Sequence, residues 1–208
     1  MNKYHYDVKN CHYIPGVQNN DGTVTFDKTK ARQEPGIRSI EFAPQGDVQK
    51  IRADGIDYIV VPSNEGYELT ANFVQLSDQF RQDLLAEVKD ETSGIQYEDA
   101  DAEFAPFALM GEFKGDEENI RWIFYNVKAT RPSQTGDNKE TMKQPDEESI
   151  TMTASPLPVT IGGEDKNIVR GGVKKSDNAT TWNNWFTDVQ LPGGTQAAQL
   201  PGGTQAAG

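Results

Sequence analysis

Residues 107–127 read FALMGEFKGDEENIRWIFYNV, and this stretch decides the fold of the chain. The runs 107–113 and 120–127 are apolar on both faces, and they flank a polar turn at residues 115–119. Two short apolar runs joined by such a turn are typical of paired strands. A strand that is apolar on both faces is covered on both faces. We therefore predict that these two strands lie at the centre of a β fold.

Further strands are predicted on either side of this pair. Residues 67–75 alternate between apolar and polar side chains, which indicates a half-buried strand. Its apolar members are Tyr67, Leu69, Ala71 and Phe73. The run 149–154 alternates in the same way, with Ile150, Met152 and Ala154 inward. Upstream, the segments QKIRA and DYIVV flank Asp54 and Gly55, a dipeptide that strongly favours a β-hairpin.

One helix is predicted over about residues 77–88. Ser77 is a residue type that caps helices, because its side chain can accept a hydrogen bond from the first turn. Phe80, Leu84 and Val88 recur at four-residue spacing and form an apolar stripe. The helix should therefore flank the sheet with this stripe inward.

Polar segments surround the predicted core and divide the chain. Residues 1–36 are rich in turn dipeptides and are predicted to form an N-terminal arm. Residues 37–156 form the β domain, and the polar loop 131–148 within it is long enough to act as a second arm. Residues 157–189 form a C-terminal extension. Residues 190–208 repeat QLPGGTQAA and end in Gly, a composition that predicts disorder.

Charge and composition restrict the classes of partner. Acidic residues outnumber basic ones by 32 to 20, and the net charge is -12 at pH 7. This charge repels phosphates, so specific binding of nucleic acid is not expected, whereas DNA could pass without adhering. No secretory signal and no apolar run of membrane-spanning length are found. A single cysteine suits synthesis in a reducing cytoplasm, and no membrane partner is predicted.

The chemical motifs of the sequence are weak. His5, Cys11 and His12 are its only imidazoles and thiol, one ligand short of a closed zinc site. Adjacent residues of an extended segment point in opposite directions, which disfavours a nucleophilic pair of Cys11 and His12. The acidic run 98–103 departs from a calcium loop, since Phe104 stands where the loop requires glycine. We predict no enzyme, no cofactor and no metal site.

Four segments follow one another in a fixed order. They are SIEFAPQGDVQKIRADGIDYIVVPSNEGYELTANFVQLSDQFRQDLLAE from residue 39, YEDADAEFAPFALMGEFKGD from residue 97, RWIFYNVKATRPS from residue 121, and EESITMTASP from residue 147. Together they resemble the major tail proteins, or tail tube proteins, of siphophages that infect Gram-positive bacteria. The resemblance covers about residues 37–155, a little over half of the chain.

This resemblance implies a mainly β tail tube fold, sandwich- or barrel-like, with two packed antiparallel sheets, one flanking α-helix and long polar arms. It implies a structural virion protein whose copies form rings, six to a ring, that stack into the tube through which DNA is delivered. The implied partners are further copies of the chain, the tape-measure protein, and tail terminator or distal tail proteins. The implied location is the virion tail, after synthesis in the host cytoplasm.

Contacts between subunits or between rings are expected on the arms and on the tryptophan segment. Extended polar backbone that has no partner inside one subunit can pair with the sheet of a neighbour. The residues predicted to make these contacts are Tyr4, Tyr6, His12, Tyr13, Arg131, Pro132, Thr135, Asn138, Lys139, Met142, Trp182 and Trp185. The acidic turn 116–118 is expected to lie outside the tube.

Two other classes of function stay open on the sequence. A β-sandwich could bind carbohydrate through exposed Trp182 and Trp185, although the spacing of these residues is that of a helix. A hydrolase could use a pair of carboxylates, but a chain with this many Asp and Glu residues makes any single pair uninformative.

Overall fold

The computed structural model describes residues 7–53, 56–114, 120–136 and 146–194. The strands are β1 (Asp7–Gln18), β2 (Val24–Phe26), β3 (Arg32–Gln33), β4 (Ile37–Gln45), β5 (Val48–Ala53), β6 (Ile56–Pro62), β7 (Gly66–Phe73), β8 (Val88–Lys89), β9 (Gln96–Tyr97), β10 (Phe107–Lys114), β11 (Ile120–Ala129), β12 (Ser133–Gln134), β13 (Glu148–Ala154), β14 (Leu157–Ile161), β15 (Glu164–Ile168) and β16 (Arg170–Lys174). The helices are α1 (Asp78–Leu84) and α2 (Ala179–Asn183), with 3-10 turns at Lys28–Lys30 and Pro192–Gly194. The prediction of a mainly β fold with antiparallel pairing is confirmed. Within the described ranges, neither helix has the length and apolar content needed to cross a membrane.

Ten strands form one antiparallel sheet. Its order is β2-β1-β10-β11-β13-β7-β4, with β3 on β1, β12 on β13 and β16 on β11. Strand β3 leads almost directly into β4, so residues 32–45 form one continuous segment. This segment is hydrogen-bonded to β1 near one end of the strand order and to β7 at the other end. The sheet therefore curls back on itself into a barrel-like shape. The remaining described strands form three two-stranded ribbons, β5–β6, β8–β9 and β14–β15.

The inside of this curl holds the larger apolar core. The alternation predicted for β7 and β13 is confirmed, because Tyr67 is half-buried against this core and the other inward side chains are buried. These side chains are Leu69, Ala71, Phe73, Ile150, Met152 and Ala154. Helix α1 adds Phe80 and Leu84 to the same core. Burial of apolar surface in such a core is the main favourable contribution to folding.

A second apolar core lies on the outer face of β10 and β11. Ala108, Met110, Ile123 and Tyr125 of these strands pack there against parts of the chain that are distant in sequence. The covering residues include Val24, Phe26, Leu157, Trp185 and Val189. Both faces of β10 and β11 are therefore buried, as their sequences predict. Residues 157–189, predicted as an extension, contribute β16 to the sheet and part of this cover.

The structure corrects the expectation of an arm over residues 1–36. Asp7–Gln18 pairs with β10 along its length, with a bulge between Lys9 and His12. Cys11 and Ile14 of this strand are fully buried, one in each core. Turn dipeptides favoured a loop, but pairing with a long apolar neighbour outweighs that local preference.

Helix α1 begins as predicted and ends earlier. The Ser77 hydroxyl accepts a hydrogen bond from the Phe80 N–H at 3.1 Å, which is the predicted cap. The helix ends at Leu84 because Ala86 adopts a left-handed conformation, with φ of 55°. Val88 therefore lies in β8, where it is 46% exposed, and it does not extend the apolar stripe.

Candidate assembly surfaces

The β5–β6 ribbon is a hairpin attached to the end of the main sheet. Among the described strands, β5 and β6 are hydrogen-bonded only to each other. The predicted hairpin is confirmed in its strands, whereas its tip, Asp54 and Gly55, lies outside the described residues. The strands VQKIRA and IDYIVVP are rich in aliphatic residues. An isolated two-stranded hairpin is at best marginally stable in water, so a ribbon of this kind gains stability from a surface that covers it.

The base of the ribbon is a defined bend. Gly46 and Gly66 flank it with φ of 147° and 119°, and a Cβ atom at either position would lie within 2.2 Å of a backbone oxygen. The Ser63 hydroxyl accepts from the Asp47 N–H at 2.8 Å and donates to the Asp47 carbonyl at 3.0 Å. The direction in which the ribbon leaves the sheet is therefore set by backbone geometry that only glycine tolerates.

The loop predicted as a second arm is anchored at both ends. β12 pairs with the start of β13, so the two ends of the loop lie side by side. Glu148 accepts hydrogen bonds from Gln134 Nε2 at 2.7 Å, from the Leu76 N–H at 2.9 Å and from Arg81 Nη2 at 2.7 Å. The Glu148 side chain is only 11% exposed. The root of the arm is the place where β12 meets the start of β13. The Glu148 carboxylate joins this root to helix α1.

The predicted contact residues at the arm are distributed as follows. Arg131 is exposed and pairs with Glu98 at 2.8 Å, with its guanidinium 5.8 Å from the Phe104 ring centroid. Pro132 is half-buried and Thr135 is exposed. Outside the described residues lie Tyr4, Tyr6, Asn138, Lys139 and Met142, together with the turn 115–119 and residues 195–208.

Two other predicted contact residues are buried inside this chain. Tyr13 is 1% exposed and Trp185 is 3% exposed, which corrects their prediction as contacts between subunits. The Tyr13 hydroxyl donates to Asp83 at 3.2 Å, and burial together with that carboxylate raises the pKa of Tyr13 above its usual range. Trp185 Nε1 donates to the carbonyl of Trp122 at 3.2 Å. Both side chains are occupied by intramolecular packing.

His12 and Trp182 belong to a stacked cluster on the outer face of the sheet. The His12 ring stacks on Phe186 with centroids 4.2 Å apart. The Arg121 guanidinium lies 3.4 Å from the centroid of Trp182 and 4.4 Å from that of Phe186, and Arg121 Nε donates to Glu112 at 3.0 Å. Burial lowers the pKa of His12. The cluster fastens the C-terminal segment to its own sheet, so the tryptophans do not form an open platform for a sugar.

The geometry around Cys11 does not favour nucleophilic chemistry. Burial, and secondarily the nearby Glu34 carboxylate, raises the pKa of the Cys11 thiol to about 12. The side chain of His12 stacks on the outer face, whereas Cys11 points into the larger core. Among the described residues, no group of three or more His, Cys, Asp or Glu side chains could hold a metal ion.

Sequence reasoning missed the buried carboxylates around helix α1. Glu34 is 1% exposed and accepts hydrogen bonds from the Ser77 N–H at 2.7 Å and the Ser77 hydroxyl at 2.6 Å. Burial raises the pKa of Glu34 despite these bonds. Glu148 bonds Leu76 across 72 positions of sequence, so no local pattern could signal either contact.

No protein-family model matches the chain, and no curated protein matches it. Among solved structures, it is similar to the anti-feeding prophage cap, a tube terminating cap, at 12% identity and a TM-score of 0.43, over 82% of this chain and 93% of that one. It is also similar to a chain of the extended sheath-tube complex of an extracellular contractile injection system, at 13% identity and a TM-score of 0.41, over 82% and 94%. A chain of the anti-feeding prophage baseplate gives 13% identity and a TM-score of 0.35, over 82% and 97%. At scores and identities this low, the similarity assigns no function to the chain.

Proposed function

We propose that this chain is the structural subunit of the tail tube of a siphophage that infects Gram-positive bacteria. Copies close into rings of six, and the rings stack into the tube through which DNA is delivered. The chain is made in the host cytoplasm and resides in the virion tail, where tape-measure, tail terminator or distal tail proteins meet the tube. Its role is assembly, and it catalyses no reaction.

The β5–β6 ribbon carries this proposal. Its strands have six and seven residues, an aliphatic-rich sequence, and no other described strand hydrogen-bonded to them. A ribbon of this kind becomes stable when an adjacent surface covers one face or when another strand pairs with its edge. The rigid base between Gly46 and Gly66 presents the ribbon in one direction, which suits a repeated contact with a neighbouring copy.

Two further features support the same role. Glu148 and the pairing of β12 with β13 hold the two ends of the predicted arm together, and the polar sequence between them is one with which a neighbouring copy can pair. The net charge of -12 keeps DNA from adhering to the subunits, because repulsion removes the phosphate contacts that hold nucleic acid. Both features match a tube that must assemble tightly and release its cargo freely.

The proposal is tested with purified protein and two shortened variants. Negative-stain microscopy and sedimentation velocity of the wild type should show rings or tubes as concentration rises. Replacing residues 48–62 with a short Gly-Ser link should leave a folded chain, because among the described strands β5 and β6 are hydrogen-bonded only to each other and the ten-stranded sheet does not include them. That variant should not assemble, whereas removal of residues 195–208 should leave assembly unchanged.

The results of these experiments test the tube assignment separately from the role of the ribbon and of the arm. A wild type that stays monomeric at every concentration would overturn the tube assignment. Tubes that grow normally without residues 48–62 would show that the ribbon is not the assembly element. The arm has its own test, in which deletion of residues 135–143 should give folded subunits that no longer polymerise.

A further inference from the structure

A second, smaller hairpin presents an apolar surface to solvent. Strands β8 and β9 pair Val88 with Tyr97, and the turn between them carries Ile95. Val88, Ile95 and Tyr97 are 46%, 62% and 50% exposed. They are three of the six large apolar side chains that are exposed among the described residues. A cluster of exposed apolar side chains on a soluble chain marks an interaction site more often than scattered single residues do.

The surroundings of this hairpin are strongly acidic. Residues 87–103 carry seven carboxylates and one basic residue, Lys89. Two of the carboxylates are neutralised within the chain, since Arg81 pairs with Glu87 at 3.3 Å and Arg131 pairs with Glu98 at 2.8 Å. The remaining carboxylates surround the exposed apolar side chains of the hairpin with negative charge.

A groove elsewhere on the molecule lies beside basic residues instead of acidic ones. It has a volume of about 570 Å³, and its walls include Tyr67, Ile120 and residues 167–172. Residues 166–175, which overlap one wall, carry four basic residues and no acidic one, and one of the four, Lys166, pairs with Glu164 at 3.2 Å. Arg170 is exposed at this wall. The groove therefore offers apolar wall residues, among them Tyr67 and Ile120, beside a basic segment.

The hairpin and the groove lie at opposite ends of the main sheet. Strand β7 runs from Tyr67, which pairs with Ala154 and lines the groove, to Phe73, which pairs with Glu148. Glu148 is bonded to helix α1, and the β8–β9 hairpin follows directly from that helix. Seven residues of strand separate the two ends by about 20 Å. The hairpin cannot reach the groove of its own chain.

We propose that the β8–β9 hairpin of one copy inserts into the groove beside Arg170 of the next copy. Apolar side chains of the hairpin meet the apolar wall residues of the groove, and the acidic flank meets the basic wall, so polarity and charge agree. A contact between two different surfaces of identical chains is head-to-tail, and it repeats into a ring or an open filament. The inference rests on the proposed function, because it identifies a surface through which the subunits join.

The test uses one variant on each side of the contact, with a matched control for each. Tyr97→Ser and Arg170→Glu should each raise the concentration needed for assembly by roughly 30-fold, the loss typical of an interface hot spot. Val17→Ser removes an equally exposed apolar side chain, and Lys30→Glu makes the same charge change at an exposed site. Both controls should assemble like the wild type, and thermal melts should show that all four variants are folded.

Mixing the two impaired variants gives the sharpest readout. The Arg170→Glu chain keeps an intact hairpin, and the Tyr97→Ser chain keeps an intact groove. At a concentration below that at which either variant assembles alone, their mixture should therefore form particles of twice the mass of either variant, measured by mass photometry, and should grow no further. In a parallel experiment, Ile95→Cys and Asn167→Cys chains should form a disulfide-linked dimer when mixed, with little background because Cys11 is 1% exposed.

The possible results show whether the hairpin contact alone fails or whether the proposed function fails with it. A wild type that never assembles overturns both claims. A wild type that assembles, together with Tyr97→Ser and Arg170→Glu chains that assemble equally well, overturns the hairpin contact and leaves the tube assignment standing. Absence of doubled particles and of the mixed disulfide also overturns the hairpin contact.

Discussion

Replacing Glu148 with alanine should be among the most destabilising single changes outside the apolar cores. The substitution removes acceptors for three hydrogen bonds, from Leu76, Gln134 and Arg81, at 2.7 to 2.9 Å. Removing one partner of a buried ion pair costs about 3–5 kcal/mol. Arg81 keeps a second carboxylate, Glu87, at 3.3 Å, so we expect the lower end, about 3 kcal/mol.

Urea unfolding followed by tryptophan fluorescence measures this loss. With a slope of about 3 kcal/mol per molar urea for a chain of this size, the midpoint should fall by about 1 M. Glu148→Gln keeps an oxygen that can accept from Leu76, so its loss should be about 1 kcal/mol. A double-mutant cycle with Arg81→Met should give a coupling energy of about 1–2 kcal/mol.

Glu41→Ala is the matched control, because Glu41 is an exposed glutamate on a strand of the same sheet. Its effect should stay within about 0.5 kcal/mol. If Glu148→Ala unfolds at the same urea concentration as this control, the carboxylate does not hold the arm's root to helix α1. A coupling energy of zero with Arg81→Met would refute the ion pair specifically.

Three other changes test different parts of the structure. Gly66→Ala should lower the free energy of unfolding by about 3 kcal/mol, measured by thermal melts, because its φ is 119° and a Cβ would lie 2.1 Å from the Ala154 oxygen. Burial raises the pKa of Glu34 in the folded state. The free energy of unfolding of the wild type should therefore increase as pH falls through the folded pKa of Glu34, and it should level off below the unfolded pKa. Because Gln does not titrate, the stability of Glu34→Gln relative to wild type should decrease from pH 7 to pH 4. A Glu34→Gln difference that does not change with pH would contradict this. Arg121→Met should release the segment that follows α2, seen as a red shift of tryptophan emission and faster proteolysis near residue 184.

The strands of the core were predictable because their signals are local. The alternation of residues 149–154 depends only on the two-residue period of a strand, and it matches the burial of Ile150, Met152 and Ala154. The cap at Ser77 was readable for the same reason, since its acceptor and donor are three residues apart. The β5–β6 hairpin followed from the turn residues between its strands.

The errors fall where distant partners decide the structure. β1 was expected to be an arm because Pro15 and Gly16 favour turns, yet Gly16 packs so closely against β2 that a Cβ would lie 2.6 Å from a side-chain carbon of Val24. The early end of helix α1 at Ala86 carries no glycine to signal it. Tyr13 and Trp185 were placed on an assembly surface because an aromatic residue in a polar segment looks the same in sequence whether it docks on its own chain or on another.

The sequence alone determined a β fold with two central strands, one capped helix, an acidic surface and the hairpin of β5 and β6. Only the tertiary structure decided that β1 belongs to the sheet, that Glu34 and Glu148 are buried, and that the acidic hairpin and the basic groove lie at opposite ends. The reason is physical. Periodicity and turn chemistry act between neighbours along the chain, whereas the burial of a charge such as Glu148 depends on donors 67 to 72 residues away that meet it only in the folded sheet.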